Sequence, residues 1–210
     1  MVDLIVIAAI GLNFVALGVS RARTVIHAVA LQGLLLGILP LFVHPHLGLR
    51  GALLAVGTII IKGIVIPRLL FRALREVTLQ REVRPLVGFI ASLLLGAVVT
   101  GLAVMFSYTL PLAREHAEQL LVPASLATIL CGLLLMTTRL KAVLQVLGYL
   151  MLENGIFMFG LLLLEAMPFL VEVGVLLDLF TGVFVMGIIM FHINRAFDSV
   201  STEHLARLKD

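Results

Sequence analysis

GYLMLENGIFMFGLLLLEA, residues 148–166, is apolar almost throughout, yet a carboxylate, Glu153, stands near its middle. The stretch is long enough to cross the hydrocarbon core of a bilayer as one helix. A charge at that depth costs about 2.5–3.5 kcal/mol on insertion scales. Whether the rest of the chain is built in the same way decides the fold.

The composition answers this. Over 210 residues, 61% are hydrophobic and 13% are charged, and the mean hydropathy is +1.19. Such a chain has too little polar surface to cover a water-soluble core. Working outward from 148–166, seven apolar segments emerge, at 2–20, 24–43, 51–71, 85–107, 119–138, 142–165 and 168–192. Each approaches the roughly 20 residues that a spanning helix needs. The breaks fall where charge, Pro and Gly collect: RAR (21–23), HPHLGLR (44–50), REVTLQREVRP (75–85), SYTLPLAREHAEQ (107–119), RLK (139–141) and Met167-Pro168. The first segment carries its basic residues after the apolar run, the reverse of a cleaved signal peptide, and is therefore expected to be a span. The expectation is an all-α integral membrane protein of one transmembrane domain, 1–210, with about seven spans and a polar tail at 196–210.

Basic residues set its orientation. If the loops alternate sides, one side holds Arg21, Arg23, Arg68, Arg72, Arg75, Arg81, Arg84, Arg139, Lys141, Arg195, Arg207 and Lys209, and the other holds Arg50 and Arg114. This bias puts the N-terminus outside and the C-terminal tail in the cytoplasm, as expected for an inner, cytoplasmic membrane. It also accounts for the net charge of +3 without a nucleic-acid partner.

Three ionisable residues lie deep within spans: Lys62 in GTIIIKGIVIP, Glu153 in YLMLENGIF and Asp178 in GVLLDLFTG. Two readings stand. Lys62 pairs with an acid, or an acid stays protonated, and the group merely holds helices together. Alternatively the three mark a proton or ion path, the default meaning of buried intramembrane charge. Glu172 lies about 120° around the helix from Asp178 and nearer its outer end, a candidate entry-side acid, although it and Glu165 are also placed for solvation at the interface. His27, Gln32 and Gln145 are expected to make interhelical hydrogen bonds. His44 and His46 belong to a turn, and His192 ends a span; none completes a metal site. The lone Cys131 permits neither a disulfide framework nor a Cys-based metal centre. Glycines such as Gly148, Gly155, Gly160, Gly182 and Gly187 allow close helix approach.

RLKAVLQVLGYLMLENGIF and VEVGVLLDLFTGVFVMGII resemble the last two helices of the K subunit of bacterial complex I and its cation/proton antiporter relatives. Arg139 and Lys141 match the basic turn, Glu153 the first acid, and Asp178 with Gly182 the second. The whole chain, including ENGIF and DLFTGVFVMGI, resembles component E of hydrogenase 4, a membrane subunit of formate hydrogenlyase and group 4 nickel-iron hydrogenases. It departs from the K subunit in having Asp at 178 in place of the more usual Glu, and in a basic-to-Glu153 spacing about two residues longer. The resemblance implies a non-catalytic accessory subunit in a hetero-oligomer with antiporter-like and other membrane subunits. It would anchor the assembly in the bilayer and contribute Lys62, Glu153, Asp178 and Glu172 to proton or sodium translocation. The nickel-iron centre and iron–sulfur clusters are then expected in partner subunits and no cofactor in this chain. An independent small proton-coupled transporter is the alternative.

RARTVIHAVAL (21–31) also echoes RLKAVLQVLGY (139–149). Either 1–75 and 119–195 are decayed copies around the span at 85–107, or apolar composition alone produces the match.

Overall fold

The computed structural model describes residues 1–43, 56–76, 86–110, 120–162 and 187. Among these the chain is almost entirely helical. Helix α1 is Val2–Gly18, α2 is Ala22–Val43, α3 is Ile66–Glu76, α4 is Phe89–Ser107, α5 is Leu121–Thr138 and α6 is Ala142–Leu162. Residues 56–60 are helical too, and a π-helical turn, Ile61–Val65, joins them to α3.

Four stretches, Ala22–Pro40, Phe89–Ser107, Leu121–Thr138 and Val143–Leu161, are long and apolar enough to cross a membrane, and Val2–Gly18 is a shorter apolar helix. The helix form follows from the solvent: hydrocarbon offers no partner for backbone N–H and C=O groups, so each segment satisfies its own. These five helices fall within the segments expected at 2–20, 24–43, 85–107, 119–138 and 142–165, apart from the first residues of α2. The span expected at 51–71 is helical over 56–76, with its C-terminal part amphipathic. Ile66 and Leu70 of α3 are buried while Arg68 and Arg72 are exposed. The span expected at 168–192 lies outside the described residues, except for Gly187.

The π-turn has a local cause. The Ile66 N–H reaches back to the Ile61 carbonyl, five residues away. Pro67 follows at once; its ring has no N–H to donate and would collide with the carbonyl four residues back, that of Gly63. One wider turn relieves this clash.

α1 with α2, and α5 with α6, form two hairpins that pack side by side. Leu17, Ile26 and Val29 of the first share one buried cluster with Leu135, Leu144 and Leu147 of the second. These are matching positions when 21 is aligned with 139. A second cluster closes the opposite end, with Ile5, Val6, Leu36, Leu39, Leu121, Ala124, Met158 and Leu161. Helix α4 lies outside the hairpins with Ser92, Gly96, Ala103 and Ser107 turned inward. Its opposite face exposes Ile90, Leu94, Val98, Leu102 and Met105.

Lipid tails are as apolar as leucine, so helix association in a bilayer depends on close packing and hydrogen bonds rather than on apolar burial alone. The α5–α6 seam shows this. A Cβ at Gly148 would lie 2.6 Å from the Met136 backbone nitrogen, one at Gly132 2.5 Å from that of Leu152, and one at Gly155 2.7 Å from that of Ile129.

Arg139 ties the loop ends together. The basic count assigned it to one side of the membrane; it is 1% exposed. Its Nη2 donates to the Leu17 carbonyl at 2.6 Å and its Nη1 to the Val87 carbonyl at 3.3 Å. The guanidinium carbon stands 5.0 Å from the centre of the Phe89 ring. Leu17 lies in the last turn of α1, where carbonyls lack intrahelical partners and a cation is favoured. Burial pulls the Arg139 guanidinium below its ordinary value. Beside it, the Leu86 N–H donates to the Thr138 carbonyl at 2.9 Å. The turns between α1 and α2 and between α5 and α6 therefore meet at one end of the bundle, together with the approach to α4.

Gly148→Val is expected to lower stability by about 1–3 kcal/mol, the cost of overpacking. Gly160→Val, at a glycine where an added Cβ meets no described residue within 4 Å, should stay within about 0.5 kcal/mol. Thermal unfolding of the purified chain in detergent distinguishes them, and equal losses would contradict the close approach. Arg139→Met should cost about 1.5–3 kcal/mol in the same measurement. Arg139→Lys should recover only part, because an ammonium lacks the planar fork.

Candidate functional site

Between the two apolar clusters lies a polar layer drawn from every helix of both hairpins and from the π-turn. Lys62 Nζ donates to Asn154 Oδ1 at 3.1 Å. Asn154 Nδ2 donates to Gln32 Oε1 at 3.2 Å. Gln32 Nε2 donates to Asn13 Oδ1 at 2.8 Å and to the Ala9 carbonyl at 3.3 Å. Asn13 Nδ2 then donates to Thr128 Oγ1 at 2.9 Å. All five side chains are buried, from 6% exposed at Lys62 to 0% at Asn13 and Thr128.

The direction of this chain follows from the chemistry of its members. An ammonium only donates, so Asn154 must turn its oxygen to Lys62 and its nitrogen to Gln32. Gln32 must then accept with its oxygen. Its nitrogen is left to face Asn13 and Ala9, whose carbonyl only accepts. Each amide orientation is set by its neighbour, with no free choice of flip.

Local structure brings Lys62 to the head of the chain. It sits in the π-turn, and its stem crosses α2 at a glycine: a Cβ at Gly33 would lie 2.9 Å from the Lys62 Cβ. Gly37, one turn on, admits Ile59 in the same way. This small-xxx-small spacing on α2 is the seam for the segment that carries Lys62. Its ammonium also stands 5.4 Å from the centre of the Phe157 ring, three residues along α6 from Asn154 and on the same face. A narrow cleft runs from Lys62 and Asn154 between Ile26, Val29, Ile66 and Leu147. Its volume of about 10 Å³ is at the lower limit for one water molecule.

Glu153 is 3% exposed, but adjacent helical residues point about 100° apart. Its neighbour Asn154 is the residue that bonds Lys62 and Gln32. Asp178 and Glu172, the other two relay candidates, lie outside the described residues, as do Glu165, His44, His46 and His192. Among the described residues no three His, Cys, Asp or Glu side chains gather as metal ligands would.

Gln32 makes the interhelical bonds expected of it. His27 and Gln145 do not follow that expectation in their described bonds: His27 Nδ1 bonds the Arg23 carbonyl of its own helix at 2.8 Å, and Gln145 Nε2 the nearby Arg139 carbonyl at 3.1 Å. Both sit one turn into their helices, within reach of a carbonyl of the first turn of α2 at Arg23 and of the turn before α6 at Arg139. Asn13, Thr128 and Asn154 were missed in the sequence. The available signal was a set of amides and a hydroxyl at mid-span depth on three different segments.

A double-mutant cycle checks the chain. Asn13→Ala with Thr128→Ala should show a coupling of about 0.6–1.7 kcal/mol, the range of interhelical hydrogen bonds in membranes. Strict additivity in thermal unfolding would mean that the two side chains do not bond.

No family model matches the chain, and no solved structure matches it. Uncharacterized protein Rv0085 of Mycobacterium tuberculosis (strain ATCC 25618 / H37Rv) is 37% identical over 196 residues, covering 90% of this chain and 86% of the relative. Identity of that extent over 90% of the chain shows that it belongs to the same family as the mycobacterial protein Rv0085.

Proposed function

We propose that the chain is a non-catalytic membrane-arm subunit of a hydrogenase or complex I-like assembly, anchoring larger antiporter-like subunits and contributing buried charge to proton or sodium translocation. The observation that carries this reading is Lys62. It is a lysine 6% exposed, held at the head of a hydrogen-bonded chain midway between the two apolar ends of a membrane-length bundle. Intramembrane charge kept at such cost serves an ion or proton path by default. Glu153, buried beside Asn154, supplies a carboxyl on the same helix. The likeness of RLKAVLQVLGYLMLENGIF and the following segment to helices of proton-moving subunits supports the same conclusion.

The reading includes seven spans in the cytoplasmic membrane, with the N-terminus outside. The end of the bundle where the turns bearing Arg21, Arg23 and Arg139 meet is then cytoplasmic, in keeping with the basic bias. Asp178 and Glu172 complete the relay with Lys62 and Glu153. Redox metals reside in partner subunits.

Two measurements test this. Mild-detergent purification of a tagged chain from its own host membranes, followed by mass spectrometry, should recover nickel-iron hydrogenase and antiporter-like subunits. Recovery of the chain alone would overturn the assembly and favour an independent transporter. In the intact complex, Glu153→Gln and Lys62→Met should each reduce proton translocation about a hundredfold or more, the scale of a lost proton-transfer group. Redox turnover measured with an artificial electron carrier should persist. Full translocation in both variants would leave these residues a packing role only.

A further inference from the structure

We propose that Asn154, Gln32 and Asn13 are positioning residues for Lys62, a one-way chain of amides that presents carbonyl oxygens toward the ammonium and fixes its place between the hairpins. Three observations converge. Every described link donates away from Lys62, from Lys62 to Asn154, Gln32, Asn13 and Thr128 in turn. Each amide therefore points its oxygen toward the cation, and aligned bonds of this kind polarise one another, most strongly where the dielectric is low. The first two amides are also pinned at both ends, since rotating Asn154 or Gln32 would break its bonds on both sides. The backbone finally leaves little room for Lys62 to move, because its stem lies against Gly33 at a distance where a Cβ would be only 2.9 Å away.

The chain holds charge and does not conduct it. Neutral amides do not take up and release protons near neutral pH, and Lys62 is the only titratable member of the series. The inference rests on the proposed role of Lys62 in translocation for its functional meaning. Under that role, Gln32 and Asn13, which do not touch Lys62, govern how firmly the ammonium is seated. Its seating is thereby tied to the packing of α1 against α5, where Asn13 meets Thr128.

The full chain has three lysines, Lys62, Lys141 and Lys209, so ¹⁵Nζ-lysine labelling in lipid nanodiscs gives a readable spectrum. The Lys62 ammonium resonance is the one lost in Lys62→Arg. At fixed pH, Gln32→Leu should shift that resonance and speed exchange of its protons with water about tenfold, as expected for a weakened charge-assisted bond. Gln32→Glu keeps an acceptor for Asn154 but loses the donor to Asn13, and should restore slow exchange only in part. Asn13→Ala, one link further away and a second variant should Gln32→Leu fail to fold, should produce a smaller change in the same direction. Leu36→Ala, a buried residue of α2 outside the chain, should leave the resonance unchanged.

Unchanged exchange in Gln32→Leu or in Asn13→Ala would overturn the proposal, as would an equal change in Leu36→Ala, which would mark general loosening. This readout registers geometry and not translocation. Full proton translocation in Lys62→Met would overturn the functional reading while leaving the chain of amides standing.

Discussion

A polar group inside a bilayer must find its partner within the protein, and the described structure is organised around that constraint. Five side chains on five helical segments satisfy one another, from Lys62 through three amides to Thr128. Sliding one helix by a single turn, about 5.4 Å, would break at least one link and strand a donor or acceptor in hydrocarbon. Apolar contacts alone impose no such register, because leucine against leucine differs little from leucine against lipid. The polar layer thus aligns the hairpins, and the apolar clusters on either side fill the space it leaves.

Close approach does the rest of the work. Gly132, Gly148 and Gly155 let α5 and α6 meet backbone to backbone, and Gly33 and Gly37 admit the segment bearing Lys62 onto α2. At one end Arg139 gathers the Leu17 and Val87 carbonyls and the Phe89 ring. The Leu17 carbonyl is one of those a helix leaves unpaired at its C-terminus, and the Val87 carbonyl lies just before the start of α4. The same constraint acts here as in the polar layer: a buried cation is tolerated because oxygen and aromatic partners surround it. The π-turn fits this account, since Pro67 forces a wider turn next to Lys62, which reaches a partner on another helix.

Much of the architecture was legible as composition and periodicity. Apolar runs of membrane length, cut by RAR, RLK and proline-bearing loops, anticipated the described helices closely. Lys62 and Glu153 stood out because charge is scarce in such runs. The burial of Arg139 was not foreseen, for an equally physical reason: a basic residue in a turn looks like a surface anchor until the neighbouring helix ends are known. Asn13, Thr128 and Asn154 were not flagged because a lone amide or hydroxyl in an apolar helix is ordinary. Only convergence gives them meaning.

What the sequence determined by itself was the apolar, helical class, the approximate bounds of the described helices and the mid-helix positions of Lys62 and Glu153, since each depends on hydrophobicity summed along the chain. What only the tertiary structure decided was which polar groups meet and in which direction they donate. Asn154 and Glu153 are adjacent in sequence and a 100° step apart around the helix axis, and it is Asn154 that bonds Lys62 and Gln32. That step acquires consequences only when α1, α2, the π-turn and α5 are packed around α6. Partner choice depends on the mutual rotation and depth of several helices, a quantity that no single stretch of sequence contains.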